Sequence, residues 1–202
     1  MTERVIDILG DAGIRATFFV QGRWVEASPE VASRIAPAGH LVGNHSHYHA
    51  RMPLLTRAGF ATDVRAAEKV IVEALGVDPR PWFRFPFGAG AARPRLHERL
   101  DAIGYRDVGW DVDARDWFNT SPGRLASSVV KRTIARGDGA VLLFHGWPRI
   151  TPVALPDVIA RLRDAGATFV RVDELPAIPR LTREAAATEA SLDAVADGGA
   201  RP

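Results

Sequence analysis

Short apolar segments alternate with helical patterns along most of the chain, and this alternation limits the possible fold more than any other feature. In the first helical pattern, Val5, Ile8 and Leu9 share one face, and Gly13 follows it. The next segment, 16–20, is a compact run of β-branched and aromatic residues, which is typical of a buried strand. Fully apolar strands between helices predict a parallel sheet with helices outside it.

The same alternation predicts six strands, and a helix precedes the first of them. The strands are expected at 16–20, 41–43, 82–85, 105–110, 140–144 and 167–172. Helices are expected near 5–12, 29–38, 60–75, 96–103, 122–136 and 158–162. We therefore expect an α/β fold, a (β/α) barrel that lacks its first strand. The Ala-rich segment 179–202 is expected to be a flexible tail.

Composition excludes several classes of function. The 202 residues contain no cysteine, which excludes a disulfide scaffold, a thiolate metal site and a cysteine nucleophile. The 26 basic and 24 acidic residues nearly balance, and no basic stripe with interleaved aromatics indicates nucleic acid as a partner. No segment approaches the roughly 20 apolar residues of a membrane-spanning helix, and no signal peptide is visible.

Three histidines lie within five residues, directly after a predicted strand. His45 and His49 are four residues apart, so one helical turn would place both imidazoles on one face. This spacing suits a shared metal ion, and imidazole ligands suit zinc or a similar transition metal. The alternative is a polar loop that happens to be rich in histidine.

The segment 84–88 follows the next predicted strand. A guanidinium at the end of a buried strand is costly without a carboxylate, so Arg84 should have an anionic partner. Pro86, Phe87 and Gly88 favour a tight turn that can aim a backbone N–H into a cleft. The alternative is an ordinary connection between a strand and a helix.

Two later segments place ionisable groups at the ends of predicted strands. Asp116 precedes Trp117, whose indole suits a carbohydrate groove, whereas Asp113 can simply cap the turn. His145 follows an apolar strand that contains Leu143, a position suited to general acid or base chemistry.

Four segments with candidate site residues follow successive predicted strands. They lie around 45–49, 84–88, 113–117 and 143–145. The carboxyl ends of the strands in a barrel converge on one face, so we expect a single site there. His40 and His97 are interpreted as structural, because one starts a strand and the other lies on a helix without partners in sequence.

Taken together, these motifs resemble the polysaccharide deacetylase family, the nodulation-factor deacetylase homology domain of carbohydrate esterase family four. The resemblance covers roughly residues 2–175. The matching segments are A-T-F-F-V at 16–20, H-S-x-x-H at 45–49, R-x-P-x-G at 84–88, D-x-x-D-W at 113–117 and L-x-H at 143–145.

The resemblance implies a metal-dependent hydrolase that removes acetyl groups from N-acetylated amino sugars in a polysaccharide or oligosaccharide. His45 and His49 would be ligands of a divalent metal, zinc or cobalt, that polarises the acetamide carbonyl and the attacking water. His145 would be the general acid, tuned by Asp116, and Arg84 would orient the catalytic carboxylate base.

The substrate-binding residues follow from the same resemblance. The backbone N–H of Phe87, which stands where the family commonly has Tyr, would stabilise the oxyanion. Trp117 and Leu143 would line the pocket for the sugar and the acetyl methyl group.

One family motif is not in this sequence. T-F-D-D-G on the first barrel strand would supply the base and a third metal ligand, and neither Asp7 nor Asp11 replaces it, because both lie in a helical pattern. Two ligands should bind a metal weakly. We therefore expect that the natural protein starts upstream of Met1, and that residues 1–178 are a deacetylase-like catalytic domain.

Two alternatives keep the same motifs. One is a hydrolase of small cyclic imides or ureides from the same superfamily, and the other is a non-catalytic glycan-binding remnant. The sequence contains no signal for the oligomeric state. The location would be cytoplasmic for the sequence as written, and the cell envelope or the exterior if a segment precedes it.

Overall fold

The computed structural model describes residues 1–177, so the predicted tail at 179–202 lies outside the described residues. The helices are α1 (Thr2–Asp11), α2 (Gly22–Ala27), α3 (Pro29–Ala32), α4 (Arg57–Leu75), α5 (Pro94–Asp101), α6 (Pro122–Arg136) and α7 (Thr151–Asp164). The strands are β1 (Thr17–Val20), β2 (Leu41–Asn44), β3 (Trp82–Phe83), β4 (Arg106–Asp107), β5 (Val112–Asp113) and β6 (Leu142–Leu143). Short 3₁₀ turns cover Met52–Leu54, Pro86–Gly88 and Val172–Glu174.

The strands form parallel pairs, which confirms the α/β class. One sheet has the order β1-β2-β3-β4, and Phe83 lies opposite Asn44 on one side and Asp107 on the other. The other sheet pairs β5 with β6, with Asp113 opposite Leu143. Within residues 1–177 the strands therefore form two sheets, and the single continuous barrel sheet is not seen.

The predicted strand at 167–172 is wrong. Ala167 and Phe169 pack against the apolar cluster between α6 and α7 without forming a ladder. The N–H of Val172 donates to the side-chain hydroxyl of Thr17 in β1, 3.1 Å away, which is not a backbone ladder hydrogen bond. The apolar pattern in this segment thus reflects packing against helices.

Two helical features of the structure also differ from the prediction. The helix expected at 29–38 ends at Ala32 and continues as turns. The helix α2 was not predicted, because six residues beginning at Gly22 are too few to show a helical period.

The described residues fall into two compact units. The first unit comprises 1–18, 28–42 and 110–177, and the second comprises 19–27 and 43–109. Apolar residues of α6 and α7 form one core of the first unit, and a second cluster there joins α1 to α7. The core of the second unit is largely aromatic and includes Phe60, Phe83, Phe85 and Tyr105.

Local signals explain where the longest helix begins and ends. The hydroxyl of Thr56 accepts the N–H of Gly59 at 3.0 Å and caps the start of α4. Gly76, with φ of 68°, ends the helix in the left-handed conformation. In residues 1–177, no helix combines the length and apolar character that crossing a membrane requires.

Candidate active site

Two histidines of the second unit meet directly after β2. The Nε2 atoms of His45 and His49 are 3.1 Å apart. The segment between them is a loop and not the predicted helical turn, because Ser46 and His49 have φ angles of 64° and 55°. Left-handed residues interrupt a right-handed helix, so the loop conformation itself brings the two rings together.

Side chains from β2, the loop and α4 hold this loop in place. Asn44 Oδ1 accepts the N–H of Ser46 at 2.8 Å, and Ser46 Oγ accepts the N–H of His49 at 2.9 Å. The two carboxylate oxygens of Asp63 accept the N–H groups of His47 and Tyr48, at 3.2 and 3.1 Å. The loop backbone is therefore fixed on both sides.

Asp63 is a residue that the sequence analysis missed. It is buried in α4, beside Phe60 and Val64 on the face that packs into the core. An acidic residue within the apolar face of a helix was the signal that could have identified it, since a buried carboxylate needs hydrogen-bond donors.

The histidine pair suits two positions of a metal site. His45 Nδ1 lies 2.8 Å from the backbone oxygen of Arg84, so Nδ1 donates its proton there and Nε2 accepts a hydrogen bond from His49 Nε2. Two nitrogens bound to one tetrahedral zinc ion would be about 3.3 Å apart, close to the observed 3.1 Å. In residues 1–177, no group of three or more His, Cys, Asp or Glu side chains is placed to hold a metal.

Arg84 is buried at the end of β3. Its Nε and Nη2 atoms donate to the backbone oxygens of Val108 and Gly109, at 2.9 and 3.1 Å, and the guanidinium lies 4.2 Å from the ring centroid of Phe19. Burial lowers the pKa of Arg84 to about 10, and the charge of Asp107 acts in the opposite direction. Arg84 therefore stays charged at neutral pH. Asp107 is an anionic group that acts on it, and the sequence predicted such a group without identifying the residue.

Phe87 lies in the turn after Arg84. The turn is as tight as predicted, with Phe87 at φ 57° inside the 3₁₀ segment Pro86–Gly88. The Phe87 ring meets the His49 ring edge to face at a centroid distance of 4.4 Å, and the Arg51 guanidinium lies 4.8 Å from the Phe87 ring. An apolar ring thus covers one side of the histidine pair.

A second pair of ionisable residues lies in the first unit. His145 Nδ1 is 2.7 Å from Asp116 Oδ1, and Asp116 Oδ2 accepts the His145 N–H at 2.7 Å and the Thr151 hydroxyl at 2.6 Å. Asp116 is buried, whereas the His145 side chain is about one third exposed. The carboxylate keeps the Nδ1 proton in place and leaves Nε2 for proton transfer.

Strand register explains why each pair forms. Asn44 lies opposite Phe83, so the residues that follow, His45 and Arg84, share one edge of the first sheet. In the second sheet, residues after Asp113 and Leu143 share an edge in the same way. Within each sheet, the motifs that follow paired strands therefore lie at one edge.

The remaining residues that the sequence singled out lie outside the two hydrogen-bonded pairs. Trp117 is exposed next to Asp116, and Leu143 is partly buried in β6. Asp113 caps its turn, because Oδ1 accepts the N–H of Arg115 at 2.7 Å. His40 accepts the N–H of Ala16 through Nδ1, and His97 bonds to the backbone oxygen of Ala91, so both are structural, as predicted.

Comparison with known proteins identifies the family to which the chain belongs. The sequence pattern of the family described as Polysaccharide deacetylase matches residues 1–108, which is more than half of the chain. The chain belongs to the polysaccharide deacetylase family. It is 28% identical to the peptidoglycan-N-acetylmuramic acid deacetylase PdaA of Bacillus subtilis, over 86% of this chain and 65% of PdaA.

Solved structures of this deacetylase family have a similar fold. A family 4 carbohydrate esterase from Streptomyces lividans, in complex with acetate, is 30% identical over 85% of each chain, with a TM-score of 0.76. BA3943 of Bacillus anthracis, a CE4 family pseudoenzyme, is 29% identical over 86% of this chain and 59% of its own, with a TM-score of 0.79. The chain spans 54% to 65% of the first curated relatives that it matches.

Proposed function

We propose that this protein removes acetyl groups from N-acetylated amino sugars in a glycan, with a divalent metal ion held by His45 and His49. The observation that supports this most is the 3.1 Å separation of the two Nε2 atoms, because it suits a shared ion. Membership of the family and the similarity to PdaA, whose name gives peptidoglycan N-acetylmuramic acid as substrate, favour a glycan amide.

Each proposed residue has a defined part in breaking the carbon–nitrogen bond. A divalent ion, when bound, polarises the acetamide carbonyl and lowers the pKa of water. The backbone N–H of Phe87 donates to the developing oxyanion. His145 gives its Nε2 proton to the departing amine as the C–N bond breaks, and the proton that the attacking water loses replaces it, while Asp116 holds the Nδ1 proton and the ring in place. The products are acetate and the free amino sugar.

Acetate release tests this proposal. The chain, with zinc or cobalt added, is incubated with chito-oligosaccharides and with peptidoglycan fragments, and ring opening of small cyclic imides is measured in parallel. His145→Ala should lower acetate release about 100-fold or more, since general acid catalysis contributes about that much. His97→Gln, a change at a structural histidine, is the control. Acetate release that is equal in His145→Ala and the parent chain would contradict the proposed role.

A non-catalytic glycan-binding function is a second candidate. The similarity to a pseudoenzyme favours it. It predicts glycan binding without acetate release, at any zinc or cobalt concentration. A mutant of that pseudoenzyme has restored enzymatic activity.

A further inference from the structure

A large aromatic side chain lies in solvent beside the His145–Asp116 pair. Trp147 is 64% exposed, and its ring centroid is 6.1 Å from that of His145. An exposed indole forgoes the stabilisation that burial of so large an apolar surface would give. Its position next to a hydrogen-bonded His–Asp pair suggests that a ligand covers it.

Hydrogen bonds and close packing hold the backbone of the two residues before Trp147 in place. Thr2 Oγ1 donates to the backbone oxygen of Gly146 at 3.2 Å, and a Cβ atom on Gly146 would lie 2.7 Å from that hydroxyl. On the preceding residue, Asp116 binds both the backbone N–H and the ring of His145. Close packing therefore fixes the segment while the indole itself stays in water, and little ordering is left to occur on binding.

We propose that Trp147 is a substrate-binding residue whose indole stacks on a pyranose ring of the glycan. The negative face of an indole attracts the positively polarised C–H bonds on one face of a sugar ring, and the sugar hydroxyls stay solvated at the rim. The proximity of His145 places that ring next to the proposed general acid. The identity of the ligand as a glycan rests on the proposed function.

Titration with N-acetylglucosamine oligomers tests this proposal, with binding measured by calorimetry. Trp147→Ala should weaken binding of the longer oligomers about tenfold, and Trp147→Phe, which keeps an aromatic face, should recover most of it. Ile134→Ala, at another exposed apolar residue of the first unit, is the matched control and should bind like the parent chain. Thermal unfolding verifies that the variants are folded.

The outcomes separate this proposal from the proposed catalysis. Binding that depends on Trp147 without any acetate release would overturn the catalysis and support the stacking role. Acetate release with the same KM in Trp147→Ala and the parent chain would overturn the stacking role alone. A change in self-association alone, measured by sedimentation, would also overturn it, since the indole would then cover a second copy.

Discussion

A single buried carboxylate holds the loop between the two candidate metal ligands. Asp63 receives two backbone N–H groups from the middle of this loop, and the residues on either side of that middle, Ser46 and His49, have left-handed backbone conformations. Such conformations are unfavourable for residues other than glycine, so they persist where hydrogen bonds compensate. Asp63 is therefore expected to position both histidines without touching a metal or a substrate.

Replacement of Asp63 by asparagine should weaken metal binding. The introduced carboxamide would keep one acceptor oxygen, and its NH₂ group would face an N–H donor, at a local cost of about 1–3 kcal/mol. Loss of a residue that supports metal ligands typically lowers affinity about 10- to 100-fold. Zinc affinity measured by calorimetry, well below the unfolding temperature, is the readout.

Asp78→Asn is the matched control for Asp63→Asn. Asp78 is exposed and pairs with Arg80, whose hydrogen bonds lower the pKa of Asp78. Surface pairs contribute little to stability, so this variant should bind zinc like the parent chain. If Asp63→Asn unfolds more easily yet keeps the zinc affinity of the parent chain, the positioning role is wrong.

His40 should make the stability of the fold dependent on pH. Burial lowers the pKa of His40, because the charged imidazolium is disfavoured away from water, and Nδ1 must stay unprotonated to accept the Ala16 N–H. As the pH falls below about 6.5, the unfolded chain takes up this proton first. His40 therefore stabilises the fold above that pH, and the contribution is lost as the pH falls through the folded pKa.

The variant His40→Gln keeps a side-chain acceptor and does not titrate. Urea unfolding between about pH 7.5 and about pH 5 should show a smaller loss of stability in this variant, by about 1.4 kcal/mol per unit of the pKa difference. Parallel stability curves for His40→Gln and the parent chain would show that His40 is not responsible.

Residues that belong to a motif could be predicted from the sequence, whereas the residues that hold those motif residues in place could not. His45, His49, Asp116 and His145 stand out because their types and spacing suggest chemistry on their own. Asp63 does not, because its role depends on which loop α4 packs against, and that contact is made by residues 15 and 16 positions away. Hydrogen-bond partners that are distant in the chain have no local sequence signal.

At the scale of elements, α4 shows how far local signals determine structure. Its start and end agree with a capping threonine and a left-handed glycine, which sequence rules anticipate. The short elements behave differently. α2 and the two-residue strands β3 to β6 form in places where tertiary packing, rather than propensity, decides the conformation. The segment 167–172 has the pattern of a strand without a strand partner in residues 1–177.

Two glycine-to-alanine substitutions in helices should have opposite effects. Gly76→Ala places a Cβ atom on a residue with φ of 68°, which should destabilise the fold by about 1–2 kcal/mol. Gly10 is exposed within α1, and a Cβ atom there would have no neighbour within 4 Å. Gly10→Ala should therefore stabilise the fold by about 0.5–1 kcal/mol.

Urea unfolding followed by circular dichroism measures both glycine variants. Each variant is the control for the other, because the chemical change is identical and the backbone conformation differs. The same sign of change in both variants would show that the backbone conformation at Gly76 and Gly10 does not decide the effect.

At the scale of the whole molecule, the order of the motifs was more informative than any one of them. Five short segments in a fixed order predicted the family, and the alternation of helices with apolar strands predicted the α/β class, although neither determined the sheet arrangement. The sequence pattern placed six strands in one barrel, whereas residues 1–177 form a four-stranded and a two-stranded sheet. Strand pairing depends on long-range backbone contacts, which apolar patterns specify only in part.

Zinc should stabilise the chain through the histidine pair. A ligand that binds the folded state and not the unfolded state adds about 2.7 kcal/mol when its free concentration is 100 times its Kd. Zinc should therefore raise the unfolding temperature, and a chelator should return that temperature to its value without zinc. Hydrogen exchange should slow further at the amides of Ser46 to His49, because the ion would make opening of their hydrogen-bonded loop less favourable. His45→Ala with His49→Ala should abolish both effects, and His97→Gln should keep them. An equal shift in the double variant would show that zinc binds elsewhere.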